Sequence, residues 1–165
     1  MKEERRQQMR LKKTVVCIIV TIFLATVAFA AEKGSEKRGT PAEAEAMVKK
    51  AIEYIKANGR EKAFAEIGNP NGKFVDRDLY VFVYDLNGKC VAHGANPKMV
   101  GKDLINMKDP DGKEYVKERI SIVKSKGKGW QDYKFPNPVT KQIEHKTAYI
   151  EKYEDIIVGC GVYKP

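Results

Sequence analysis

At Asn69-Pro70-Asn71-Gly72 the chain changes its period. Before that tetrapeptide, Ala44, Met47, Val48, Ala51, Ile52 and Ile55 recur at the spacing of one helix face. After it, short apolar runs alternate with Gly, Pro and Asn turns, and the runs have the length of strands. With 165 residues there is room for one domain plus a tail. A β/α barrel is excluded, because it needs about 200 residues or more.

The elements can be placed one by one. Thr40-Pro41 offers an N-cap followed by Pro at the first helical position, Glu43 sits in the first turn, and Gly59 is a natural stop. Residues 61–67 read as a second, short helix ended by Gly68. Strands at 79–84 and 89–93 flank Asp85-Leu86-Asn87-Gly88, a hairpin turn in which Gly88 supplies the positive φ. Residues 94–112 form a Gly- and Pro-rich loop. Residues 113–126 are helical, with Tyr115, Val116, Ile120 and Val123 on one side. Strands then follow at 129–135, 142–152 and 156–163, the first two joined by a turn at Pro136-Asn137-Pro138. Strands 79–84 and 156–158 are apolar without clean alternation, so the sheet is expected to be covered on both faces. The expected fold is α+β: a PAS-like five-stranded antiparallel sheet. The long N-terminal helix lies on one face, and a loop/helix layer on the other.

The formal net charge of +9 raises a nucleic-acid reading that its distribution removes. Residues 1–13 hold six basic and two acidic side chains, residues 14–30 are uncharged and apolar, and Ala28-Phe29-Ala30 has the form of a cleavage site. Residues 1–30 are therefore expected to be a signal peptide cleaved near Ala30, with 31–39 a linker and 40–165 the domain. The alternative is an uncleaved N-terminal membrane anchor, since a spanning helix needs about 17–25 apolar residues. Beyond residue 30 there remain 25 basic and 20 acidic residues, without a basic stripe interleaved with aromatics. No nucleic-acid partner is expected, and the location is periplasmic or secreted.

The series Asp85-Leu86-Asn87-Gly88, Val91-Ala92-His93-Gly94, Gly101-Lys102-Asp103-Leu104 and Asp109-Pro110-Asp111-Gly112-Lys113 continues through Gly129-Trp130, Tyr133, Asn137-Pro138, Lys146, Tyr149, Val158-Gly159 and Gly161-Val162-Tyr163. In that order and spacing it resembles the single Cache domain, an extracytoplasmic PAS-like sensor module, over about residues 43–163. The resemblance implies a pocket between the sheet and the loop-plus-helix layer that takes a small organic acid. Most members precede a signalling module. This sequence carries no transmitter and no second span, so a separate membrane signalling partner is expected.

If the hairpin of strands 129–135 and 142–152 is symmetric about residues 139 and 140, Tyr133 faces Lys146 across it, on one face of the sheet. An ammonium and a phenol converging there would suit a carboxylate. The bland reading is a snorkelling lysine whose stem is covered by tyrosine; the resemblance favours the ligand. His93, at the end of the second strand, is either an anion donor or structural. Tyr80 and Phe82 alternate with Val81 and Val83, and either set could line the pocket. Trp130 precedes Tyr133 by three, which puts it on the opposite face as core packing unless a bulge at Gly129 turns it inward. Tyr133, Lys146, His93, Tyr80 and Trp130 are the candidate ligand-binding residues.

Asp109-Pro110-Asp111-Gly112 lacks the spacing of a calcium loop and reads as a turn and N-cap for the helix at 113–126. Cys90 and Cys160 lie on strands that flank the first strand from opposite sides in the PAS-like order. That separates them by roughly 9–10 Å, beyond the disulfide limit of about 7 Å, so free buried thiols are expected. No metal or cofactor motif and no catalytic constellation is present, so an enzyme is not expected. The function read from the sequence is an exported sensor domain for a small organic acid, monomeric or weakly dimeric. The alternative is a periplasmic structural or interaction protein that keeps the fold without a ligand.

Overall fold

Helix α1 (Pro41–Asn58) begins where the residues dictate. Thr40 Oγ1 accepts from Glu43 N at 3.3 Å while Glu43 Oε2 accepts from Thr40 N at 2.7 Å, a closed capping box. Gly59, at φ 76°, ends the helix and admits α2 (Arg60–Ile67) directly. This computed structural model describes residues 38–164. The expected signal peptide and most of the expected linker lie outside them. Among the described residues no helix is long and apolar enough to cross a membrane.

The strands are β1 (Val75–Asp76), β2 (Leu79–Asp85), β3 (Cys90–His93), β4 (Lys128–Pro136), β5 (Ile143–Tyr153) and β6 (Ile156–Tyr163), with α3 (Tyr115–Lys126) between β3 and β4. Every pairing is antiparallel, and the order β3-β2-β6-β5-β4 is the PAS-like one. The two-residue β1 is an addition to the five expected strands. It folds back on Leu79 and Tyr80 through Arg77, whose φ of 57° makes the turn tight enough for two pairs. In the β2–β3 hairpin, Asp85 Oδ1 accepts from Asn87 N and Lys89 N, both at 2.9 Å, and Gly88 takes φ 96°.

Two hydrophobic cores result, one on each face of the sheet. On one, Ala44, Val48, Ala51, Ile52 and Ile55 of α1 pack on Val81, Val83, Val158, Cys160 and Val162. On the other, α3 and the loop after β3 close over Tyr80, Phe82, Tyr84, Tyr133 and Tyr163. Alternation along β2 settles the face of each residue: tyrosines and Phe82 toward α3, valines toward α1.

The stretch 109–113 is a turn, but it does not cap α3, whose N-cap position is Glu114 without a side-chain capping bond to the helix backbone. Asp109 instead binds the turn itself, accepting from Asp111 N (3.0 Å) and Lys113 N (2.9 Å) with one oxygen, and reaches β4 by accepting from Lys134 N (3.0 Å) with the other. Cys90 and Cys160 are buried free thiols. Besides flanking β2 from opposite sides, they belong to opposite cores.

Candidate functional site

The β4–β5 register pairs Tyr133 with Lys146, as hairpin symmetry requires. Lys146 is 1% exposed, and the sheet makes room for it through a glycine. A Cβ on Gly161 would come within 2.5 Å of Lys146 Cε, so only glycine leaves space for the stem there. Gly159, two residues earlier on the same face of β6, likewise lies under the Phe82 ring.

The Lys146 ammonium ends in an aromatic cage. Its Nζ lies 3.7 Å from the Tyr80 ring centroid and 4.6 Å from that of Tyr163, with Phe82 and Phe135 each at 5.8 Å. Among the described residues its one hydrogen bond is a long one, 3.4 Å to Tyr163 Oη. The Tyr163 hydroxyl donates to the Pro136 carbonyl at 2.8 Å and shares a 2.9 Å hydrogen bond with Tyr80 Oη. Burial pushes the Lys146 ammonium down to about 7, and the Arg119 charge adds to the shift.

Arg119 is the second cation, also 1% exposed. It projects from α3, and its Cζ lies 4.3 Å from the Phe82 centroid, 4.8 Å from Tyr84, and 5.5 Å from both Tyr115 and Tyr133. Its Nε donates to Gln131 Oε1 at 3.3 Å, and Gln131 Nε2 in turn donates to the Tyr115 carbonyl and to Glu118 Oε2, both at 2.6 Å. The Phe82 ring thus has Arg119 and Lys146 within 6 Å of its centroid. Among the described residues neither cation has a carboxylate partner.

His93 completes the chamber. Its Nδ1 accepts from Ala95 N (3.2 Å) and Asn96 N (3.0 Å), which assigns the ring proton to Nε2. Burial, followed by the charges of Lys146 and Arg119, lowers its pKa to about 3, so the imidazole is neutral at any ordinary pH. The ring lies 5.0 Å from that of Tyr80 and 6.2 Å from that of Phe135.

Four of the five residues singled out in the sequence therefore converge: Tyr80, His93, Tyr133 and Lys146. Trp130 does not. It sits on the α1 side of the sheet, 39% exposed, with its ring 5.3 Å from that of Tyr149. The strand is regular at Gly129, so Trp130 stays opposite Tyr133, and at the sheet edge it is only half covered, which also sets aside core packing. Arg119, Tyr115 and Tyr163 are members that the sequence reading passed over as functional residues. The signal for Arg119 was present: four residues after Tyr115 and four before Val123, it lies on the apolar stripe of its helix.

Known proteins resemble the chain. The family model for single Cache domain 2 matches residues 5–164. The methyl-accepting chemotaxis protein McpP of Pseudomonas putida is 34% identical over 90 residues, which is 53% of this chain and 16% of that protein. The sensor histidine kinase MctS of Rhizobium johnstonii is 34% identical over 89 residues, 53% of this chain and 19% of that protein. The chain thus matches less than a fifth of the length of either. A solved Cache chemosensory domain, studied for carboxylic acid recognition, is 29% identical with a TM-score of 0.63, over 75% of this chain and 92% of that one. Strand order, two-sided sheet and near-complete family match agree, and the chain belongs to the single Cache domain 2 family.

Proposed function

We propose that this domain is a sensor that binds the anion of a small organic acid between Lys146 and Arg119. The observation that carries the reading is the pair of fully buried cations with, among the described residues, no carboxylate in an ion pair with either; buried Asp78 acts on Lys146 only through its field. Burying a cation without an anion is costly, and a protein that keeps two such groups in one chamber has a use for their charge. A carboxylate entering there would take charge-assisted hydrogen bonds from the ammonium and the guanidinium. The neutral His93 Nε2–H and the Tyr133 phenol are further donors. Carboxylic acid recognition by the similar Cache domain supports the class of ligand.

Binding is read out by signalling machinery of the chemoreceptor or kinase kind, as the two curated relatives suggest. The domain works outside the cytoplasm, delivered by residues 1–30. It does so as a monomer or weak dimer, since the apolar stripe of α1 is spent on the sheet. The domain binds its ligand without turning it over.

A thermal-shift screen of acetate, propionate, pyruvate, lactate and dicarboxylates tests this, because a ligand of the native state raises the melting temperature. A clear rise with at least one acid is expected. A flat response across the set favours a structural or interaction role for the fold instead.

A further inference from the structure

The tyrosine hydroxyls of the chamber are not equivalent. Those of Tyr80 and Tyr163 bond each other, and Tyr163 also donates to Pro136 O. The Tyr84 and Tyr133 rings lie against the Arg119 guanidinium. Tyr115 Oη is different: it is buried and, among the described residues, has no hydrogen-bond partner. A phenylalanine would pack the same volume without the penalty of a buried, unpaired hydroxyl.

The Tyr115 ring is also firmly placed. It opens α3, stacks on Tyr133 with centroids 4.8 Å apart and planes 11° apart, and meets the Phe135 ring edge-on at 6.1 Å. Tyr133 in turn is the cross-strand partner of Lys146. The Tyr115 ring is thus held on the helix side of the chamber, stacked on the cross-strand partner of Lys146. Its hydroxyl is a neutral group able to donate and accept, whereas the requirements of a carboxylate are met by the two cations.

We propose that the Tyr115 hydroxyl is the specificity contact of the site. It hydrogen-bonds a neutral polar substituent that the ligand carries besides its carboxylate, so hydroxy- and oxo-substituted short acids are selected over unsubstituted acids of equal length. This rests on the acid-binding reading above. A phenol serves either substituent, donating to an oxo group or accepting from a hydroxyl. A site built around such a contact rejects the analogue that leaves it unpaired.

The test is calorimetric titration of the protein and its Tyr115→Phe variant with propionate, lactate and pyruvate, which share three carbons. In the unaltered protein, lactate or pyruvate is expected to bind about tenfold more tightly than propionate, the effect of one hydrogen bond. In Tyr115→Phe that ratio should fall to near one, and the ligand-free melting temperature should be equal or higher. A preference that survives in the variant, or an unaltered protein indifferent to the substituent, overturns the specificity role alone. A lowered melting temperature of the ligand-free variant also overturns it, by showing a structural partner for the hydroxyl. Failure of every acid to bind the unaltered protein overturns both this role and the acid site itself.

Discussion

Gly161 lies directly under the stem of Lys146, closer than any Cβ could approach. The same Cβ would also meet Ala148 Cβ at 2.9 Å and Ala148 Cα at 3.0 Å, on the strand beside it. Gly161→Ala should therefore displace the ammonium and strain the β5–β6 pairing together. The expected result is loss of acid binding with a destabilisation of about 1–3 kcal/mol, the usual cost of overpacking. Calorimetry and denaturant unfolding on one preparation check both parts.

Lys146→Met separates binding from stability in the opposite sense. The variant keeps most of the side chain's apolar length and removes a buried charge that lacks an ion pair, so it should be as stable as the parent or more so, by up to about 4 kcal/mol. Acid binding should vanish. Retained calorimetric affinity would remove Lys146 from the site.

The Lys146 ammonium, lowered by burial to about 7 against an ordinary 10.5, makes the ligand-free protein depend on pH. Between about pH 7 and 10 the unfolded chain binds a proton there that the native state does not. Stability then rises with pH, by at most about 1.4 kcal/mol per unit. Burial raises the thiols of Cys90 and Cys160 to about 11 and about 12, which reverses the trend once unfolded thiols ionise near pH 9. Melting temperature should climb from pH 7 to a maximum near pH 9. Acid affinity runs the other way, because the anion needs the protonated lysine: each pH unit above about 7 should weaken binding by about tenfold. Proton uptake on binding, measured in buffers of different ionisation enthalpy, checks the same linkage.

Asp109 fastens the covering loop to the sheet by accepting from three backbone N–H groups. Asp109→Ala leaves those donors to find water and should cost about 2–4 kcal/mol, in the range for hydrogen bonds to a charged group. Hydrogen exchange should show the loss concentrated in residues 109–113 and at Lys134.

The thiols of Cys90 and Cys160, each buried in its own core, should resist alkylation in the native protein and react only on unfolding. Mass spectrometry before and after denaturation reads this directly. A native disulfide between them would contradict the strand order.

Much of the architecture was legible because local signals and global fold agree. The Thr40–Glu43 box, Gly59, and the Asp85-Leu86-Asn87-Gly88 turn each act over a few residues, and hairpin symmetry alone placed Tyr133 opposite Lys146. What escaped depends on which face a residue joins across the whole sheet. Tyr80 and Val81 are equally plausible linings until α1 and α3 are assigned to opposite sides. Trp130 was set on the correct face, yet its exposure follows from β4 being an edge strand. Arg119 was hidden by habit of reading: a charge within an apolar helical stripe looks like a flaw in the pattern. The Gly159 and Gly161 pair is a similar case, two small residues at strand spacing that mark where large side chains from other strands must fit.

The division of the interior by the sheet has a consequence for how such a domain can change. The α1 face is packed mainly by aliphatic side chains, with Phe74 and Tyr149 among them, while Lys146, Arg119, His93 and most of the buried tyrosines gather on the α3 face. Because successive residues of a strand point to opposite sides, a substitution on one face leaves the other almost untouched. The chamber can be rewritten for a different ligand by altering alternate positions of β2, β4 and β5, with the opposite layer retained as a keel. A sheet with two unlike faces thus gives evolution, or a protein engineer, one side to keep and one side to edit.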